Sequence, residues 1–125
     1  MFTKSVNGKY INTDCERFWF LRKEYHPKTW QELLSRVAEE MYRIHSVDFE
    51  RCLSLRGTRR SYFSKNQNEL KYPKNIAGSR FYFEAKLNAN SIVRIAKALM
   101  GLFGYKDSDL RIETRKTTRR ARRRA

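Results

Sequence analysis

The sequence predicts an α+β domain: a small antiparallel β-hairpin or sheet packed with several α-helices. Three observations lead there. Two stretches repeat apolar residues at helical spacing, from Leu33 to Ile44 and from Ile92 to Leu102. Between them lie two short aromatic runs, "RSYFS" and "RFYFEAKL", with the composition of strands. The chain has 125 residues, 40% hydrophobic and 14% aromatic, which suits one folded core.

Residues 1–28 read as an N-terminal extension of uncertain structure. "KSVNGKYI" sets Asn-Gly between Val6 and Tyr10, the signature of a small hairpin or turn. "CERFWFLRKEY" fits strand or helix equally. The main domain, residues 29–113, opens on "TWQELLSRVAEEMYRI". Thr29 followed by Glu32 is a capping box. Trp30, Leu33, Leu34, Val37, Ala38, Met41 and Ile44 then make one apolar stripe, with Arg36, Glu39, Glu40 and Arg43 mostly on the other side.

"SVDFERCLSL" reads as a second, shorter helix. Ser46 is its expected N-cap, Phe49, Cys52 and Leu53 its inward face, and Gly57 its stop. The strand "RSYFS" follows, then the polar loop "NQNELKYPKNIAGS", then the strand "RFYFEAKL". A third helix is expected from about Ser91 to Leu102, ended by Gly101 and Gly104 and capped by Ser91. "DSDLRIE" adds a last turn or short helix, with Asp107 or Ser108 as cap. Residues 114–125 read as a basic disordered tail, because "RKTTRRARRR" carries no acid and no large apolar residue.

The formal net charge is +15, from 28 Lys and Arg against 13 Asp and Glu. The seven basic residues between Arg115 and Arg124 supply just under half of it, so the domain is basic in its own right. A polyanionic partner follows, nucleic acid or an anionic surface. No apolar run approaches the ~20 residues that span a bilayer, so no membrane partner is expected. The N-terminus lacks an apolar secretory core, which points to a cytoplasmic protein. Cys15, Cys52, His26 and His45 lack the close pairing of a zinc site; the cysteines read as a core residue and a reduced thiol, and no cofactor is expected.

Three stretches have the residue types for chemistry. "RGTRR" places Arg56, Arg59 and Arg60 around Gly57 and Thr58; arginine forks bind phosphate or the edge of guanine. "KLNANS" places Lys86, Asn88, Asn90 and Ser91 where a strand meets a helix. Asparagine there serves a turn or cap, and it also pairs bidentately with adenine. "EAK", Glu84 to Lys86, matches half of a metal-dependent nuclease signature, and equally the alternation of a half-exposed strand.

From about Leu34 to Ile112 the chain resembles the C-terminal DNA-binding domain of SeqA, the bacterial negative modulator of replication initiation. "MYRIHSVDF" stands for that family's Tyr-Ser-Leu-Asp segment, and "GTRRSYF" for its Gly-Arg-Thr-Arg loop and following Tyr-Phe. "YPKNIAG" stands for its Lys-Pro-Lys-His-Val-Pro-Gly loop, and "FYFEAKLNANSIVRIAKALM" for an aromatic strand, an Asn-x-Asn turn and a helix. The resemblance implies a non-enzymatic protein that presents two loops to the major groove of duplex DNA near GATC-type sites.

Arg60 matches the last arginine of the first loop, and Arg59 stands where the family has threonine. Asn88 matches the second asparagine of the turn, and Lys86 replaces the first. Asn90, Ser91 and Ile92 replace the family's Gly-Arg-Lys. Arg59, Arg60 and Asn88 are expected to face the major groove, with Lys86 as reader or phosphate clamp, and Thr58, Asn90 and Ser91 are further expected DNA-binding residues. Arg56, Lys65 and Lys74 are the expected backbone contacts. Arg115, Lys116, Arg119, Arg120, Arg122, Arg123 and Arg124 add salt-sensitive attraction. A DNA- or nucleoid-associated modulator of replication or transcription is the main expectation, with homodimerisation left open. An RNA- or ribosome-associated basic protein and a nuclease using Glu84 and Lys86 are the alternatives.

Overall fold

Pairing on both edges makes the first element a strand. The computed structural model describes residue 10, residues 13–58 and residues 61–116. In β1, Thr13–Phe20, the side chains of Cys15, Phe18 and Phe20 are buried. A bulge between Cys15 and Arg17 keeps Cys15 and Phe18 on the inner side despite their odd spacing. A two-residue turn at Leu21 and Arg22, both at positive φ, leads to β2, Lys23–Tyr25. Positive φ at both turn positions is the hairpin geometry that fits strand twist.

Helix α1, Trp30–Ile44, takes the expected cap at Thr29, while Glu32 reaches one residue beyond the N-cap N–H that a capping box uses. The Thr29 hydroxyl accepts from the Glu32 N–H at 3.2 Å, and the Glu32 carboxylate accepts from the Lys28 N–H at 3.0 Å. Leu33, Leu34, Val37, Ala38 and Met41 are buried; Ile44, expected on the same stripe, is exposed. The expected second helix is a 3₁₀ segment, Ser46–Ser54, kinked at Asp48, and Ser46 does not cap it. Phe49 and Cys52 are its two buried residues, and their spacing of three suits a three-residue turn.

The expected two strands are shorter than the aromatic runs, and a third joins them. β3 is Phe63–Ser64, β4 is Pro73–Asn75 and β5 is Tyr82–Glu84, in the order β3-β5-β4, all antiparallel. The stretch expected to be a polar loop therefore contains β4 and a 3₁₀ turn, Gln67–Glu69. A Pro-first strand with Lys and Asn carries no sequence signal; its pairing with β5 makes it a strand.

Helix α2, Ala89–Leu102, starts two residues before Ser91 and is capped by Asn88. A 3₁₀ turn, Asp107–Asp109, then feeds β6, Leu110–Lys116. The Asp109 carboxylate accepts from the Lys106 N–H at 2.9 Å, so the cap expected at Asp107 or Ser108 falls elsewhere. β6 pairs antiparallel with β1, giving a second sheet in the order β2-β1-β6. Arg115 and Lys116, expected in the tail, are thus the last two residues of a strand. Residues 13–25, expected in a separate extension, belong to the main fold: Phe18 and Phe20 share one core with α1, α2, Phe63 and Phe83. The fold is α+β, two small antiparallel sheets with helices packed on them. Among the described residues no helix is long and apolar enough to cross a membrane.

Candidate nucleic-acid interface

Sheet register decides which loops meet. β3 and β5 pair Phe63 with Phe83, and the Tyr62 carbonyl extends the ladder by accepting from the Glu84 N–H at 2.8 Å. On the other edge the Tyr72 carbonyl accepts from the Ala85 N–H at 2.8 Å. Leu55 and Tyr62 are hydrogen-bonded at 3.3 Å, and Arg56 bridges Ser61. The loop after Arg56, the loop before Pro73 and the turn from Lys86 to Asn88 therefore leave at the same end of one sheet.

Glu84 locks this end. Its carboxylate is 2% exposed and accepts from the backbone N–H groups of Lys71 at 2.8 Å and Tyr72 at 3.0 Å. Both carboxylate oxygens are thus spent on holding a loop, which leaves it poorly suited to the metal-binding role of the nuclease alternative. Among the described residues no group of three or more His, Cys, Asp or Glu is placed to hold a metal ion. Cys15 and Cys52 are free and buried, and burial pushes both thiols up to about 12.

Gly57 has a different reason from the helix stop expected of it. A Cβ there would lie 2.7 Å from the Tyr62 hydroxyl oxygen, so the residue must be small for the tyrosine ring to close against the hairpin. Arg56 and Thr58 are exposed on this hairpin. Arg59 and Arg60 lie outside the described residues, as do Arg119, Arg120, Arg122, Arg123, Arg124 and the Asn-Gly turn predicted near the N-terminus.

In the second loop Lys86 extends over the Tyr72 ring, with its ammonium 4.8 Å from the ring centre. Tyr72 stays 45% exposed. Asn88, not Ser91, caps α2: its Oδ1 accepts from the Ser91 N–H at 2.8 Å. The amide nitrogen of Asn88 still offers two donors, so capping and base contact are compatible. Asn90 Oδ1 accepts from the Tyr10 N–H at 3.0 Å. Because the Thr13 N–H bonds to the Tyr10 carbonyl at 3.3 Å and Thr13 pairs with Lys116, this bond ties the end of β6 to the first turn of α2. Arg115 and Lys116 are exposed there.

Lys65 and Lys74, expected as backbone contacts, are not at this end. The Lys65 ammonium pairs with Glu50 at 3.2 Å, and Lys65 lies on the far side of β3 from the Arg56 loop. Lys74 lines a polar groove of about 470 Å³ with Glu32, Arg36 and Glu39 of α1.

Two cations that the motifs did not point to, Lys71 and Arg94, stand at or beside the loop end, and a third, Lys97, lines a groove with Leu110, Ile112 and Thr114 of β6. Lys71 and Arg94 are exposed, Lys97 partly so. Arg94 and Arg56 flank a groove of about 220 Å³ lined by Leu55, Tyr62, Ile95 and Ala98. A signal for them was present in the sequence. Residues 54–106 hold eleven Lys or Arg against two acids, Glu69 and Glu84, while residues 29–53 hold three against five.

The structure thus defines a small α+β domain with a one-sided, cation-rich loop end. Comparison with protein-family models, with curated proteins and with solved structures finds no match in any of the three.

Proposed function

We propose that this chain is a sequence-selective double-stranded DNA-binding protein, SeqA-like in its use of two loops, that modulates replication or transcription through major-groove contacts near GATC-type sites. One observation carries the reading. The hairpin after Leu55 and the turn before α2 emerge side by side, and the cations around them, Arg56, Lys71, Lys86 and Arg94, make no ion pair among the described residues. Uncompensated charge at one end attracts a polyanion and orients it. Asn88 contributes amide donors beside them, a group suited to base edges. Phosphate contacts set position, and Asn88 with Thr58, Arg59 and Arg60 supplies discrimination.

The test is selection of bound duplexes from a random pool, with methylated, hemimethylated and unmethylated GATC duplexes and a structured RNA of equal length run beside it at fixed salt. Enrichment of a duplex motif supports the reading. Equal enrichment of all duplexes, or preference for the RNA, overturns it in favour of a general or RNA-associated binder.

A further inference from the structure

Arg94 is exposed on α2, three residues after Ser91. Its partner across the 220 Å³ groove is Arg56, from the hairpin. The rest of the groove's lining is Leu55, Ile95, Ala98 and Tyr62, largely apolar. No acid lines the groove, and neither arginine makes an ion pair among the described residues. Two elements far apart in sequence therefore bring two arginines, neither ion-paired among the described residues, to the lining of one largely apolar groove.

Sequence spacing did not require this. In α1 the exposed arginines all have acids one turn away: Arg36 faces Glu32 and Glu39, and Arg43 faces Glu40. The residues one turn from Arg94 are Asn90, Ser91, Lys97 and Ala98, none of them acidic. The like charge of Lys97 at i+3 adds to the repulsion that a bound anion would relieve.

We propose that Arg56 and Arg94 form a clamp for the sugar-phosphate backbone of the bound duplex, on the flank of the reading loops. This inference rests on the duplex-DNA reading above. A phosphate between two arginine forks takes charge-assisted bonds from both. The largely apolar lining matches the carbon face of a deoxyribose. A protein partner would need a carboxylate on an apolar segment, whereas each nucleotide of a DNA strand supplies the anion and the apolar ring at fixed spacing. The clamp gives position and carries no sequence information.

The experiment measures binding of a fluorescent duplex, at several salt concentrations, for the wild type and for Arg94→Ala, Arg56→Ala, Arg94→Lys and Lys65→Ala. Thermal unfolding of each variant confirms folding; Arg94 is exposed, so its removal leaves the core intact. Arg94→Ala and Arg56→Ala should each weaken all duplex sequences alike and lower the slope of log affinity against log salt by about 0.9. Arg94→Lys should recover the slope. Lys65→Ala, already neutralised by Glu50, should leave it unchanged.

A methylphosphonate scan of the duplex gives a second readout. One linkage should matter to the wild type and cease to matter in Arg94→Ala. An unchanged slope in Arg94→Ala, with wild-type binding intact, overturns the clamp alone. A changed preference among sequences also overturns it, because Arg94 would then touch bases. Failure of the wild type to bind duplex DNA at any salt overturns the parent reading and the clamp together.

Discussion

Helix α1 with its following 3₁₀ segment and the loop end around α2 carry the same kinds of cation in opposite states. On the first, Lys23, Arg36, Arg43, Arg51 and Lys65 each reach a carboxylate within 3.7 Å, and the Arg43 guanidinium holds the Glu40 carboxyl below its ordinary value. On the second, Arg56, Lys71, Lys86 and Arg94 reach none. Surface ion pairs stabilise a fold by about 0–1 kcal/mol each, so the α1 pairs do little for stability. Their larger effect is to cancel charge. At physiological salt, screening limits each face to its own neighbours within ~8 Å, so the cations of the loop end act there with no ion-pair partner among the described residues.

Four experiments sharpen or break this contrast. The largest effect is on the scaffold of the loop end. Glu84→Ala should lower stability in urea unfolding by about 3 kcal/mol, because it strands two backbone donors in a buried site. A loss below about 1 kcal/mol would mean that the loop is held by something else. In the same protein, magnesium-dependent nicking present in the wild type and lost in Glu84→Ala would revive a nuclease.

Truncation after Lys116 removes five arginines. Affinity should fall on the order of a hundredfold for every duplex alike, with the salt slope reduced by about 4. A loss confined to one sequence would give the tail a reading role instead.

Asn88 separates two jobs by a pair of variants. Asn88→Ala should cost about 1 kcal/mol of stability and reduce discrimination among duplexes. Asn88→Asp caps equally well, so thermal stability should hold, while the lost amide donors and added charge should weaken binding about tenfold or more. Equal discrimination in both variants would leave Asn88 a cap only.

The smallest effect belongs to the compensated face. Arg43→Ala or Lys65→Ala should change duplex affinity less than about twofold and stability by at most about 0.5 kcal/mol. A salt slope reduced by either variant would erase the distinction between the two faces.

Much of this molecule was legible in local pattern. The α1 cap at Thr29 and the buried faces of α1 and α2 follow from spacing within one or two turns, and the structure reproduces them. The residues between Thr13 and Phe20 were ambiguous because aromatic and charged side chains fall on both faces. A partner strand nearly a hundred residues later resolves them, and the bulge at Cys15 breaks the period that would have announced a strand. β4 was invisible because Pro, Lys and Asn are poor strand formers and only the β5 edge recruits them. At the site, Arg56, Asn88 and Lys86 stood out as motif residues, while no motif singled out Arg94. Lys65 and Lys74 had the right charge in the wrong place, one beside Glu50 and the other beside the acids of α1.

By itself the sequence determined α1 with its cap at Thr29, the body of α2, the excess of positive charge and its concentration after residue 54, since each depends on neighbours a few residues apart. Only the tertiary structure decided which loops share an end and which remote acids a cation reaches, Glu50 for Lys65 and Glu40 for Lys23. Strand pairing and ion pairing act across space between residues remote in the chain, and no local period encodes them.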